Sequence, residues 1–402
     1  MWREYTTVTR LKHSKAKMHE LAFIAHLSHQ SFGVFNMKKS LVALATMSVV
    51  SSAFADIDIS GGVKMYGVLD QAITTQTLVN NGATTIYQGM YASSATSRLG
   101  FKGSRDLGNG LKGEFQIEQE ISPDQSTTMP AKNRGTFLGL SGKGGTLRLG
   151  TQETTAYETF NFDVNGRVEY KPQVWRYTTS SSTQDRANNA FKYISPEFGG
   201  VSLHGMMNYS ETVSTATGSA VYTSIGAKFQ NADKKLKLNV LRDQLTATTG
   251  AIILPGALNV SIGSASTGTT TTYATYATTT STTQSSNPLV RTIGAASYDF
   301  EKVYLSVISA TSQMSGIGKL STNTFGIRVP YDNFKFALSY GTGKIESTST
   351  TAVDGTTVND TTFGTYYNFD KSTSAYFLYS NSQFSYLDRS TVVSAFGLNY
   401  RF

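Results

Sequence analysis

The segment at the carboxyl terminus restricts the possible folds more than any other feature of the chain. From residue 396 onward, large apolar side chains alternate with small or polar ones; the apolar positions are Phe396, Leu398, Tyr400 and Phe402. In a β-strand, successive side chains point to opposite faces, so this segment has one face suited to hydrocarbon and one suited to water. A soluble sandwich could contain such a strand, so other parts of the chain must discriminate between the two.

An export signal lies near the other end. Lys38-Lys39 provide a positive start, residues 41–50 an apolar stretch, and Ala53-Phe54-Ala55 a small-x-small cleavage site. We therefore predict a signal peptide over residues 37–55 and a mature chain over residues 56–402. A membrane-spanning helix is the alternative, but the apolar stretch is much shorter than the roughly 20 residues that cross a bilayer.

Residues 1–36 precede a complete signal that has its own Met37, and they show no strand alternation. We hypothesise that they come from a start codon assigned too far upstream. Mass spectrometry that detects any of them in the exported protein would reject this hypothesis.

The composition of the mature chain excludes several classes of function. Removing 55 of the 402 residues takes away seven of 35 Lys/Arg and two of 27 Asp/Glu, so the net charge falls from +8 to +3. Nucleic-acid binding is not expected, because it needs a clustered basic face rather than interleaved signs. There is no cysteine, and His204 is the one histidine of the mature chain. Thiolate and His-rich metal sites are thereby excluded, and no cofactor is expected.

The mature sequence contains no apolar run long enough for a spanning helix. Because backbone polar groups in a bilayer must be paired internally, a closed β-barrel is the remaining way to cross it. At roughly 10 residues per strand plus turns and loops, the mature length suits about 16 strands. We therefore predict an all-β fold, a transmembrane antiparallel β-barrel of 16 strands, give or take a pair.

The clearest predicted hairpin is Arg98–Glu120, with its turn at Asp106–Gly110. On its first strand Leu99 and Phe101 alternate with basic residues, and on its return strand apolar residues alternate with a row of charged ones. Such a row of charges must face water, so the opposite face contacts lipid or a partner.

Two stretches rich in Thr and Ser, 245–288 and 341–361, cannot bury enough apolar surface to pack. They are predicted to be exposed loops, and an adhesive or glycan-carrying role is the alternative for them.

Several short segments occur along the mature chain in a fixed order. They are 63–70 (VKMYGVLD), 97–103 (SRLGFKG), 106–111 (DLGNGL), 137–140 (FLGL), 145–150 (GTLRLG), 185–196 (DRANNAFKYISP) and 398–402 (LNYRF). In this order they resemble the general porins of Gram-negative bacteria, in particular the trimeric type of the beta-proteobacteria and neisseriae. Each is weak alone, but their order and spacing cover nearly the whole mature chain. The resemblance implies a homotrimer in the outer membrane, in contact with lipid and lipopolysaccharide.

The resemblance also implies that the third extracellular loop, from Thr151 to about Gln184, folds into the barrel and narrows it. The acidic residues expected in this constriction loop are Glu153, Glu158, Asp163 and Glu169. The basic residues expected to line the pore or its constriction are Lys64, Arg98, Lys102, Arg148, Arg186 and Lys192. Opposed acidic and basic sides would create a transverse field that orients dipolar solutes. Solvated ion pairs along the lumen, worth about 0–1 kcal/mol each, are the alternative.

Two departures from the porin pattern concern this loop. It also carries basic residues, namely Arg167, Lys171 and Arg176, and Thr151 stands where similar porins often have arginine. Part of the expected basic ladder is therefore missing or supplied from elsewhere.

The predicted function is passive diffusion of ions and small hydrophilic solutes through a water-filled channel with a weak preference for anions, not an enzyme activity. A substrate-specific channel is the first alternative, separable by liposome swelling with sugars of increasing size. An adhesin that uses its Thr-rich loop is the second, and deletion of residues 250–286 would test it. A hydrolase built on His204 is the last, because a lone histidine without a nucleophile motif is poor support for a triad.

Overall fold

The computed structural model describes most of the predicted mature chain. The described ranges are 57–60, 62–80, 82–91, 94–123, 132–166, 185–209, 220–247, 288–316, 318–348 and 354–402. The predicted extension and signal peptide lie outside them, as do Glu169 and most of the stretch 245–288. Within these ranges, no helix is both long enough and apolar enough to cross a membrane.

The described residues form eighteen strands and two short 3-10 helices. The strands are β1 Ile57–Ser60, β2 Val63–Asn80, β3 Ala83–Tyr91, β4 Arg98–Gly108, β5 Leu111–Glu120, β6 Lys132–Gly142, β7 Gly145–Glu153, β8 Arg186–Ile194, β9 Val201–Asn208, β10 Ala220–Gln230, β11 Leu236–Ala247, β12 Leu289–Asp299, β13 Tyr304–Met314, β14 Gly318–Tyr331, β15 Phe334–Ser347, β16 Thr357–Asn368, β17 Thr373–Phe384 and β18 Arg389–Arg401. The 3-10 helices are Tyr157–Phe162, after β7, and Tyr386–Asp388, before β18.

Antiparallel pairing closes these strands into a barrel. Each strand from β4 to β17 pairs with the next one, and β18 pairs with β2. Strand β3 pairs with residues 72–80 of β2 and strand β4 with residues 63–68, so β3 and β4 together form one interrupted wall strand. Strand β1 pairs with the start of β2, just beyond Val68, the last partner of β18. Strands β1 and β18 therefore form another interrupted wall strand. The wall therefore has 16 strands, which confirms the predicted barrel.

Side chains alternate between a lipid face and a lumen face, as the period of two predicts. In β18, Phe396 and Leu398 are 61% and 56% exposed, whereas Asn399 between Leu398 and Tyr400 is 2% exposed. Large apolar residues on other strands, such as Ile73 and Leu138, likewise remain exposed. In a membrane these side chains contact lipid, while their neighbours line the interior.

The first and last wall strands are joined by a buried polar seam at Asp70. Its carboxylate accepts hydrogen bonds from the Tyr376 hydroxyl at 2.7 Å and from Asn399 Nδ2 at 2.9 Å. The carboxyl-terminal residue adds to this seam, because the backbone N–H of Gly67 donates to the carbonyl of Phe402 at 2.8 Å. A side chain at Gly67 would overlap the Phe402 ring, so glycine permits the last residue to close the wall.

The prediction of an exposed loop over 341–361 is wrong at both ends. Strand β15 continues to Ser347 and β16 begins at Thr357. Such polar strand ends need no apolar outer face where the wall projects beyond the hydrocarbon, so their composition resembles that of a loop. The predicted turn at Asp106–Gly110 is confirmed, with Asn109 in the left-handed region at φ 53°.

Candidate pore constriction

The connection that follows β7 runs along the inner wall of the barrel. Thr155 Oγ1 donates a hydrogen bond to Ser224 Oγ on β10 at 2.7 Å. The 3-10 helix Tyr157–Phe162 then buries Phe160 and Phe162 against lumen-facing residues of β11, β12 and β13. These wall residues are Leu241, Ile293, Ala295, Ile308 and Ala310. Burying a phenyl ring stabilises by about 1.5–3 kcal/mol, so these two side chains anchor the segment to the wall.

The next residues extend the segment to the opposite side of the wall. Val164 packs against Tyr304 and Ala337, and Asn165 Nδ2 donates to Ser339 Oγ on β15 at 3.2 Å. Two lumen-facing glycines permit this close approach. A Cβ at Gly326 would lie 2.7 Å from Val164 Cγ1, and one at Gly364 would lie 2.6 Å from Asn165 Oδ1. We call residues 154–166 the inner loop segment; it reaches from β10 to β16 inside the barrel.

Glu158 is the acidic centre of the inner loop segment. Its Oε1 lies 3.0 Å from Lys192 Nζ on β8, and its Oε2 forms an ion pair with Lys228 on β10. His204 Nδ1 on β9 lies 3.7 Å from the same Oε2. Burial alone would raise the pKa of this carboxyl, but the positive charges of Lys192 and Lys228 outweigh burial and lower it to about 2. Glu158 is therefore charged at neutral pH and joins the segment to three wall strands.

Glu153 begins a second set of ion pairs. Its Oε1 lies 3.2 Å from Arg186 Nη2, and Arg186 Nε donates to the backbone carbonyl of Arg134 at 2.9 Å. The Arg134 guanidinium contacts Glu118 Oε1 at 2.8 Å and Glu120 Oε2 at 3.4 Å. Glu153, the last residue of β7, is thus tied to the neighbouring wall strands through a chain of charge-assisted hydrogen bonds.

The chain of ion pairs continues to the first wall strands. Arg98 Nε lies 3.5 Å from Glu118 Oε2, to which the Tyr66 hydroxyl also donates at 3.0 Å. Arg148 Nε contacts Glu114 Oε1 separately, at 2.6 Å. We call these residues of β4 to β10, together with Glu153 and Glu158, the paired cluster. Its members are Arg98, Glu114, Glu118, Glu120, Arg134, Arg148, Glu153, Glu158, Arg186, Lys192, His204 and Lys228.

Lys64 and Lys102 belong to the first wall strands. They are directly opposite each other on β2 and β4, and Lys102 Nζ lies 4.7 Å above the centre of the Tyr66 ring. The structure brings Arg186 to Glu153 and Lys192 to Glu158. Arg98 and Arg148 instead contact the wall carboxylates of Glu118 and Glu114. Asp163 lies farther along the inner loop segment, where its Oδ1 accepts a hydrogen bond from the backbone N–H of Asn165 at 3.0 Å.

A second group of cations lies on the other side of the lumen. Arg328 on β14 stacks its guanidinium on Tyr304 at 4.1 Å, and Lys335 on β15 places Nζ 3.6 Å above the centre of the Tyr366 ring. Lys237 on β11 is close enough to Arg328 to repel it. Among the described residues, none of these three cations has a carboxylate oxygen within 4.0 Å. We call Lys237, Arg328 and Lys335 the basic patch.

The basic patch, together with Arg134 and Lys228 of the paired cluster, was missed at the sequence level. The alternation of side chains along the strands indicated that these residues face the lumen. Arg328 alternates with Ile327 and Val329, and Lys335 alternates with Phe334 and Phe336. Lumen-facing cations could thus have been found on every strand by this rule. Their pairing with acids could not, because it depends on how far the barrel brings non-neighbouring strands together.

His204 meets a serine and a carboxylate in the folded chain. Ser202 Oγ lies 3.0 Å from its Nε2, and Glu158 lies 3.7 Å from its Nδ1. The second distance is too long for a hydrogen bond. Glu158 is also occupied by two lysines, so the group that would orient the histidine as a base is engaged elsewhere.

Taken together, these features define a transmembrane antiparallel β-barrel with a charged lumen and a segment of chain held inside it. A family model described as Gram-negative porin matches residues 40–385. The chain belongs to this family and is a β-barrel protein of the Gram-negative outer membrane.

Relatives and solved structures agree with this assignment. The chain is 32% identical over 230 residues to outer membrane porin protein 32 of Delftia acidovorans, a match that covers 53% of this chain and 62% of the relative. It is 34% identical over 176 residues to major outer membrane protein P.IB of Neisseria meningitidis serogroup B, covering 43% and 50%. The chain thus spans about half to three-fifths of the length of the curated relatives it matches.

Among solved structures, the anion-selective porin from Comamonas acidovorans superposes with a TM-score of 0.65 at 19% identity, covering 85% of this chain and 99% of that one. The trimer form of OmpT from Vibrio cholerae superposes with a TM-score of 0.60 at 12% identity, covering 86% and 100%. At these identities the superpositions establish the fold.

Proposed function

We propose that the chain forms a water-filled channel for passive diffusion of ions and small hydrophilic solutes across the outer membrane, with a weak preference for anions. The observation that carries this proposal is a closed wall whose inner face is lined with charged side chains. A solute in such a lumen stays hydrated, and lumen side chains exchange for some of its waters, so crossing needs no chemical turnover.

The inner loop segment supplies the constriction in this proposal. Glu158 of this segment and Glu153, the last residue of β7, lie against Arg186, Lys192 and Lys228 on one wall, which gives local dipoles with little net charge. The basic patch lies on the other side and supplies net positive charge. The resulting field favours anions and orients dipolar solutes as they pass. The superposed Comamonas porin is anion-selective, and the likeness of the two barrels supports the same preference here.

Reconstitution in planar bilayers tests the proposal. We expect stepwise single-channel conductance, and in a potassium chloride gradient a reversal potential whose sign shows preference for chloride. Purified, folded protein that produces no conductance would contradict the channel. A reversal potential of the opposite sign would contradict the anion preference while leaving the channel intact.

We further propose that the protein assembles as a homotrimer with its outer face against lipid and lipopolysaccharide. The lipid-facing aromatic and aliphatic residues and the trimeric OmpT structure support this proposal. Crosslinking in isolated outer membranes, followed by electrophoresis without heating, should give a band at three times the mass of the chain. A monomer band alone would contradict it.

We also infer that the protein acts without catalysis. Replacing His204 by alanine would abolish any hydrolysis that depends on it, and the porin assignment predicts no ester hydrolysis by the unmodified protein in the first place. Hydrolysis of nitrophenyl esters that is lost in His204→Ala would contradict this inference.

A further inference from the structure

Arg328 and Lys335 are held by aromatic rings instead of carboxylates. Neither forms an ion pair or a hydrogen bond with any described residue, and each stacks on a tyrosine of the adjacent strand. Tyr304 is directly opposite Arg328 in the sheet, and Tyr366 is directly opposite Lys335. A cation over a ring is not neutralised by a carboxylate and keeps hydrogen-bond donors available, whereas one paired with a carboxylate has committed both its charge and its donors.

The two cations share one face of adjacent strands. Arg328 is directly opposite Ala337, so Lys335 occupies the diagonal position toward the β14–β15 turn. Diagonal neighbours in an antiparallel pair lie about 7–8 Å apart at the backbone, within reach of long side chains. A guanidinium and an ammonium so placed can both donate to one anion that lies between them.

The pair lies directly beside the inner loop segment. The next lumen-facing positions along the same strands are Gly326 and Ala337, both of which contact Val164. Tyr304 also donates a hydrogen bond to the carbonyl of Asn161 in that segment, at 3.5 Å. Because β14 and β15 are joined by a short turn, of the kind that faces the periplasm in such barrels, the cations lie on the periplasmic side of the constriction.

The charges around this pair have both signs. Lys237 acts on Arg328 and Arg401 acts on Lys335, both repulsively. Asp299 also acts on Arg328, but its carboxylate accepts the backbone N–H of Glu301 at 2.8 Å and forms no ion pair within 4.0 Å among the described residues. Asp163 acts on the two tyrosines, and Asp70 acts on Tyr366 and Arg401. With the pair itself counted, four cations are set against three carboxylates, so the net charge is positive.

We propose that Arg328 and Lys335 form a binding subsite for small multivalent oxyanions of the phosphate type, on the periplasmic side of the constriction. This inference rests on the proposed channel function and deepens it by naming the site and the class of solute. A phosphate-type anion presents several oxygens with delocalised negative charge, so it can accept from both cations at once. Chloride carries one negative charge and balances only one of the two cations, whereas a multivalent oxyanion balances both, so the site discriminates by valence.

Block of chloride current by inorganic pyrophosphate measures this binding. In bilayers in potassium chloride, we expect pyrophosphate to lower the single-channel conductance at millimolar concentration. The double variant Arg328→Gln/Lys335→Gln should raise the half-blocking concentration about tenfold or more, because two charge-assisted contacts are lost. The control Lys371→Gln removes a charge of the same sign from an exposed turn and should leave block unchanged.

The charge-conserving variant Arg328→Lys should retain most of the block, and it also covers the case in which the double variant does not fold. Unmodified channels that conduct normally but are not blocked, or a folded double variant with unchanged block, would overturn the inference. Arg328→Lys channels that lose block as completely as single Arg328→Gln channels would overturn the role of charge. Complete absence of conductance in the unmodified protein would instead reject the proposed function.

Discussion

The paired cluster and the basic patch both carry lumen charges, but the two regions use them differently. In the paired cluster, each Arg or Lys has a carboxylate oxygen within 3.5 Å, so most charge is cancelled locally. In the basic patch, tyrosine rings support Arg328 and Lys335, and no ion pair is formed within the described residues. The comparison teaches that the number of lumen charges does not set the field; their pairing does.

The two regions also differ in what they stabilise. Glu158 ties the inner loop segment to β8 and β10, and Glu153 ties the end of β7 to β8, so the paired cluster serves mainly to hold a fixed constriction. The cations of the basic patch do not bind the inner loop segment in this way. Arg328 and Lys335 stack on Tyr304 and Tyr366, and each contact contributes about 0.5–2 kcal/mol, which positions the cation without pairing it with an acid.

The largest expected effect comes from breaking the paired cluster at its centre. Glu158→Gln leaves Lys192 and Lys228 close together without their acid, and Lys192 has a side chain only 5% exposed. Removing one partner of a buried ion pair leaves an uncompensated charge, so we expect a loss of about 3 kcal/mol in the free energy of unfolding. Urea unfolding in detergent micelles measures this loss.

The matched control for that variant is Glu301→Gln, which breaks the ion pair of Lys235 on an exposed turn. Exposed pairs contribute little, so the urea midpoint should not move measurably. Equal destabilisation by the two variants would show that burial does not distinguish the paired cluster from the surface.

The pH dependence of the same contact sharpens the comparison. The pKa of Glu158 falls from 4.5 to about 2 in the folded chain, so its contribution is fully present above about pH 4.5 and is lost as the pH falls toward 2. The difference in urea midpoint between the unmodified protein and Glu158→Gln should therefore be constant above about pH 5 and shrink below it. A difference that stays constant down to about pH 2 would contradict the assigned pairing.

Period-two alternation, together with the export signal and the lack of a long apolar run, was sufficient to predict the barrel from the sequence. Phe396 and Leu398 lie on the lipid face as expected, because the wall is a single sheet in which successive side chains point to opposite faces. The strand ends near Gly341 and Thr361 were mistaken for loop, since polar composition is shared by loops and by strands that extend past the hydrocarbon.

The candidate site was predictable in part. Arg98, Arg148, Arg186 and Lys192 were found by parity and by resemblance, and they do lie near Glu153 or Glu158 or near other carboxylates. Which cations form ion pairs could not be predicted. The partner of Lys192 and Lys228 is Glu158, which comes from a loop whose path depends on the whole barrel. The role of Arg328 was hidden for the same reason: its isolation from acids is a property of the folded wall.

A smaller effect is expected where the inner loop segment touches the wall beside the basic patch. Gly326→Ala places a methyl group 2.7 Å from Val164 Cγ1 and 2.6 Å from Ser306 Oγ, so one neighbour must move. Overpacking of this kind costs about 1–3 kcal/mol, and movement of Val164 should change the single-channel conductance. The control Gly294→Ala adds the same methyl group where no atom of the described residues lies within 4 Å. Similar conductance in both variants would indicate that the contact does not shape the pore.

The smallest effect, and the most direct test of the comparison, concerns ion selectivity. A unit charge about 10 Å from a permeating ion in water changes its energy by about 0.4 kcal/mol, which is about twofold in local concentration and opposite for anions and cations. Lys335→Gln should therefore lower the chloride-to-potassium permeability ratio by up to about fourfold at low salt, and less at high salt because of screening. The double variant Glu114→Gln/Arg148→Gln removes one whole ion pair of the paired cluster and leaves the net charge of the lumen unchanged. If pairing sets the field, its effect on the ratio should be clearly smaller, because an ion pair contributes a dipole whose field decays faster with distance than that of an isolated charge. Shifts of equal size in the reversal potentials of the two variants would show that paired and unpaired lumen charges act alike on permeating ions.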